Sequence, residues 1–144
     1  MKHILLVADG RSTITAGWLR MLSGLDFRVS LVSTFPCDPP ANAELIAVLP
    51  VGFSSMGGGQ VRLNDEYSRV GSWKRQLIGA FRPAFLSARA WLAPLTLPTF
   101  QRKFLVIVKG LQPDIVHALR IPFEGMLADV TPAEIPLLVS IWGN

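Results

Sequence analysis

Cysteine is almost missing from this chain. Among 144 residues only Cys37 is present, so no disulfide framework can staple the fold, and a reducing, cytosolic setting fits best. Metal ligands are as scarce. Cys37, His3 and His117 are the only thiol and imidazole groups, too few for a structural zinc site. Charge is thin as well, at 17% of residues against about 25% in an average soluble domain. Half the residues are hydrophobic and the mean hydropathy is +0.39. Disorder is thereby excluded over most of the chain, because it requires low hydrophobicity and high charge. Long apolar runs are absent too. No stretch of about 18 uncharged apolar residues occurs, so a membrane span is not expected. The run Ile4-Leu5-Leu6-Val7-Ala8 stops at Asp9, which is too short for a secretory signal. The length suits one domain.

Acidic residues vanish altogether between Glu66 and Asp114, where Arg69, Lys74, Arg75, Arg82, Arg89, Arg102, Lys103 and Lys109 stand among Trp73, Phe81, Phe85, Trp91, Phe100 and Phe104. A cationic surface with aromatic neighbours suits anionic lipid headgroups, nucleic acid or phosphorylated substrates. It also describes a solvated helical face with core aromatics behind it. No aromatic RNA-binding motif is present, so nucleic acid is not an expected partner.

The remainder of the chain reads as alternating strands and helices. Ile4–Ala8 is apolar without alternation, the pattern of a strand buried on both faces. Asp9-Gly10 is a turn, and Ser12 or Thr13 can cap the helix that follows. Ile14, Trp18, Met21, Leu22 and Leu25 are expected to form its buried stripe, with Gly24 at its end. Residues 28–33 predict a second strand and 44–49 a third. A loop holding Gly57-Gly58-Gly59 is expected over 50–72 and a helix kinked at Pro83 over 73–93. A helix then opens at Pro98 and stops at Gly110. Residues 115–118, 123–130 and 136–142 predict strand, helix and strand.

That order implies an α/β, Rossmann-like open parallel sheet with strand order 3-2-1-4-5 and helices on both faces. Ligands of such sheets bind beyond the carboxyl ends of the strands, where crossovers diverge to opposite faces. The first and fourth strands meet there, which brings Asp9-Gly10-Arg11-Ser12, His117–Arg120 and Trp142-Gly143-Asn144 around one expected crevice.

Gly10, Arg11 and Ser12 precede a helix whose open N–H groups favour phosphate. The same residues also make a plain turn and cap. His117 can hydrogen-bond a sugar hydroxyl or a phosphate oxygen, or sit as a satisfied core residue. Arg120 and Glu124 can flank a cleft and bind hydroxyls, or form an exposed salt bridge. The dinucleotide fingerprint G-x-G-x-x-G and the phosphate-binding G-x-x-x-x-G-K-[ST] pattern are both absent, as are a serine-hydrolase elbow and a glycosidase acid pair.

Several of these segments resemble family 4 glycosyltransferases of the GT-B fold. Ala8-Asp9-Gly10-Arg11-Ser12 opening a helix with Trp18 is similar to that family's start. Pro113-Asp114-Ile115-Val116-His117-Ala118, the helix from Ile121 to Ala128, and Leu138-Val139-Ser140-Ile141-Trp142-Gly143-Asn144 resemble later stretches. Departures are the single glycine in the first loop and Leu119 where many relatives have a second histidine. The resemblance implies a retaining hexosyltransferase that moves a sugar from a nucleotide-sugar donor to a sugar or lipid-linked acceptor, with no bound metal or further cofactor. His117 would be the catalytic contact, and Gly10, Arg11, Ser12, Arg120, Glu124 and Asn144 would bind substrate. Residues 1–144 would be the acceptor-side domain. The domain that binds the nucleotide sugar, and with it turnover, is expected outside these residues. A cytoplasmic location follows, with peripheral contact to the inner membrane face through residues 73–104. The alternative is a stand-alone, non-catalytic module that binds a phosphorylated small molecule or an anionic membrane surface.

Overall fold

The computed structural model describes residues 1–51 and 96–141. Most of the loop expected over 50–72, the helix expected over 73–93 and most of the basic stretch 73–104 lie outside the described residues, as do Trp142, Gly143 and Asn144.

The elements follow in the order β1 (Lys2–Ala8), α1 (Thr13–Leu22), β2 (Phe27–Ser33), β3 (Glu44–Val48), α2 (described over 96–111), β4 (Ile115–Ala118), α3 (Glu124–Ala128) and β5 (Leu137–Val139). The strands form one parallel sheet of order β3-β2-β1-β4-β5, the expected α/β topology. Strand β1 is its centre, pairing Leu6 with Leu31 of β2 on one side and with His117 of β4 on the other.

Burial on both faces explains the unbroken apolar run of β1. Leu5 and Val7 join Val32, Val116, Phe104, Val108 and Leu127 in one core, beneath α2 and α3. Leu6 and Ala8 join Leu31, Leu19 and Leu22 in the other, beneath α1. At the amino ends of the strands Asp114 holds the β1–β4 register. Its carboxylate accepts from the His3 N–H at 2.7 Å and from Lys2 Nζ at 2.7 Å, and its own N–H donates to the His3 carbonyl.

Two expectations are corrected. The buried face of α1 is Thr15, Leu19 and Leu22, whereas Ile14, Met21 and Leu25 are 46%, 57% and 54% exposed. The Thr15 hydroxyl donates to the Asp9 carbonyl at 2.7 Å. The bond goes with a helix rotated so that Ile14, Met21 and Leu25 face away from the sheet, while Trp18 and Leu22 of the expected stripe still pack on the core. Helix α2 already includes residues 96 and 97 and runs through Gly110. Gln112 rather than glycine takes the left-handed conformation after it, at φ 47°, and its side-chain amide donates to the Lys109 carbonyl. Smaller differences are at element ends: α3 and β5 are shorter than the stretches 123–130 and 136–142 expected for them. Among the described residues no helix is long and apolar enough to cross a membrane.

The rotated face of α1 makes a direct prediction. Leu19→Ala should cost about 2–5 kcal/mol, and Met21→Ala within about 0.5 kcal/mol of nothing. Urea midpoints of the two variants measure this, and a larger loss at Met21 would restore the stripe expected from periodicity.

Candidate functional site

The crossovers leave the sheet on opposite faces after β1 and β4, with α1 over one core and α3 over the other. A shallow cleft opens between them, with a cavity volume of about 30 Å³. Asp9, Ser12 and Thr15 line it from the β1 side, and Leu119, Arg120 and Glu124 from the β4 side, with Ile14 at its edge. This is the place where an open α/β sheet takes ligands. Ser12, Arg120 and Glu124 are thus brought together. Gly10, Arg11 and His117 are close by in the chain but do not form its wall.

The loop after β1 is tightly self-bonded. The Gly10 N–H donates to Ser33 Oγ at 3.0 Å, the Arg11 N–H to Asp9 Oδ1 at 3.0 Å, and the Ser12 N–H to the Asp9 carbonyl at 3.0 Å. Ser12 is the cap of α1, its hydroxyl accepting from the Ile14 N–H. These three loop donors hold the turn in shape ahead of the helix start. Gly10 is required by packing. A Cβ there would overlap Cys37 Sγ and stand 3.0 Å from Ser33 Oγ. Arg11 is drawn back along the loop. Its guanidinium reaches both oxygens of Asp9 at 3.1 Å and lies 3.9 Å over the Phe35 ring.

His117 is sealed in, only 4% exposed. Alternation along β4 sends it to the α1 face, opposite Val116 and Ala118. There Trp18 meets its ring edge-on, with centroids 4.8 Å apart and planes at 87°. The Nε2 atom shares a hydrogen bond of 2.8 Å with Ser140 Oγ. Burial lowers its pKa below the ordinary imidazole value. It is a satisfied core histidine in this arrangement, not a group facing the cleft.

Arg120 and Glu124 depart from an exposed salt bridge in one respect: the Glu124 side chain is 1% exposed and that of Arg120 is 45% exposed. The chain doubles back through a cis Ile121–Pro122 bond and Phe123 at φ 76°, and the Gly125 N–H closes the turn on the Arg120 carbonyl at 2.9 Å. The guanidinium then grips the carboxylate twice, Nη2 to Oε1 at 2.8 Å and Nε to Oε2 at 3.2 Å. That pairing, foremost its hydrogen bond, raises the Arg120 pKa and keeps the group charged. Thr34, just past β2, completes the arrangement by donating from Oγ1 to Glu124 Oε1 at 3.0 Å. Sequence reasoning missed Thr34, because its link to Glu124 crosses 90 residues and leaves no local pattern. Among the described residues no three His, Cys, Asp or Glu side chains cluster as a metal site. No buried side-chain polar atom there lacks a partner.

A histidine whose folded pKa is lowered binds fewer protons folded than unfolded. Stability should therefore fall as pH drops below about 6.5, and level off only beneath the folded pKa. His3, whose pKa is lowered chiefly by burial against the sheet, contributes in the same direction. Urea midpoints between pH 8 and pH 5 should show this decline, and His117→Gln should flatten it in part. An unchanged slope in the variant would mean that the imidazole is not buried neutral. Comparison of the chain with protein-family models, with curated proteins and with solved structures finds no match.

Proposed function

We propose that this chain is the acceptor-side domain of a nucleotide-sugar-dependent glycosyltransferase of the GT-B type, and that the cleft between β1 and β4 is its part of the transfer site. One observation carries the reading. Segments 8–12 and 121–128, whose residues bear the resemblance to family 4 enzymes, are separated in sequence yet line the same cleft with Asp9, Ser12 and Glu124, and Arg120 joins them from between the resembling stretches 113–118 and 121–128. Sugar transfer from such a donor releases a nucleoside diphosphate, and groups that stabilise its growing charge lower the barrier. Among the described residues Arg120 is the cation on the cleft wall able to do so. The role proposed for His117 becomes one of support. Beneath Trp18 and bonded to Ser140, it holds the α1 side of the cleft against β4. Contact of residues 73–104 with an anionic inner membrane face belongs to the same proposal.

A specific observation favours the second reading, a non-catalytic module for a phosphorylated small molecule. The loop donors and Arg11 are already paired within the chain, so among the described residues few groups are left at the cleft to meet an anion.

Titration of the ¹⁵N-labelled chain with nucleoside diphosphates, nucleoside diphosphate sugars and free sugars tests both. The transferase reading expects diphosphate-dependent shifts at the amides of Ser12, Thr15 and Arg120, enlarged by the attached sugar. Shifts that ignore the sugar support the binding module. Saturating ligand without any shift in the cleft overturns both readings.

A further inference from the structure

We propose that Glu124 and Thr34 form a buried tether that aims the Arg120 guanidinium into the cleft as its anion contact, Glu124 being a positioning residue and not a substrate ligand. The inference rests on the anion-accepting cleft proposed above and assigns its residues distinct parts.

Accessibility separates the two ends of the pair. The Glu124 side chain is 1% exposed, and its oxygens are engaged by Thr34 Oγ1, Arg120 Nη2 and Arg120 Nε. A carboxylate offers about four acceptor sites, so little remains for a hydroxyl of a ligand. Arg120 is the reverse. Of the five guanidinium N–H bonds, those on Nε and one on Nη2 face the carboxylate, and the side chain is 45% exposed on the cleft wall. Its outer edge has the fork geometry that fits a phosphoryl group.

The tether has a rigid base. Thr34 is 1% exposed, and its N–H donates to the Ala8 carbonyl at 2.9 Å, which fixes it to the end of β1. A buried carboxylate tolerates the loss of its cation poorly. Arg120 is thereby held where a long, rotamer-rich side chain would otherwise wander, and this preorganisation favours binding. Asp9, the other carboxylate of the cleft, is matched by Arg11 at 3.1 Å, so it does not leave an uncompensated negative charge opposite the guanidinium.

Isothermal titration of the full chain with inorganic pyrophosphate tests the tether. Arg120→Ala should weaken binding at least about tenfold, and Thr34→Val and Glu124→Gln about three- to tenfold each, since they misplace a contact rather than remove it. Chemical rescue then separates aiming from folding. Millimolar guanidinium should restore pyrophosphate binding to Arg120→Ala, where the Glu124 carboxylate can still seat it, and not to the double variant Arg120→Ala/Glu124→Gln. Rescue of both to the same extent, or wild-type affinity in Thr34→Val and Glu124→Gln, overturns the tether while leaving the cleft as an anion site. A wild-type chain that is folded and does not bind pyrophosphate overturns the anion-accepting cleft and the tether together.

Discussion

Strand β1 has no polar face. Its residues from Leu5 to Ala8 are all but inaccessible, and only a position between two parallel neighbours, with helices above and below, can bury both sides of such a strand. Pairing with β2 and β4 meets that demand. The remaining architecture follows from it. Because the chain leaves β1 toward one face and β4 toward the other, the two carboxyl ends cannot be covered by the same helix, and the gap between α1 and α3 is the cleft. The site is a consequence of the burial of β1 rather than an addition to it.

Packing then decides what each residue near that gap is able to do. Gly10 sits against Cys37 and Ser33, so its lack of a side chain serves the approach of one loop to another. His117 points to the α1 face and is closed over by Trp18. Arg11 leans on Asp9 and Phe35. What reaches the opening is Arg120, backed by a carboxylate that is out of the water. Gly10 and His117 take their roles from partners distant in sequence, whereas Arg11 and Arg120 are held first by carboxylates two and four residues away.

That difference also explains what was legible in the chain before its structure. The doubly covered first strand, the strand order, and a helix cap at Ser12 or Thr13 all rest on local composition or on the handedness of crossovers, and both leave marks in a sequence. The meeting of Ser12 with Arg120 and Glu124 followed from the order alone. The rotation of α1 did not. Of the expected stripe, Trp18 and Leu22 do pack inward, but Ile14, Met21 and Leu25 do not, and Thr15, bonded to the Asp9 carbonyl, and Leu19 take their place. Helix α2 runs one residue past Gly110, and Gln112, bonded back to Lys109, takes the left-handed position after it in place of a glycine. The burial of Glu124 was equally hidden, since it depends on Thr34 at the end of another strand.

The central position of β1 is the claim on which the cleft and its chemistry stand, and nuclear Overhauser contacts across the sheet measure it most directly. In the labelled chain, Leu6 and Val7 should show cross-strand backbone contacts to Leu31 and Val32 on one side and to His117 and Ala118 on the other, all in parallel register. Contacts that place β4 beside β2 or β3, or that leave β1 at an edge with one neighbour, would contradict the account and dissolve the cleft with it.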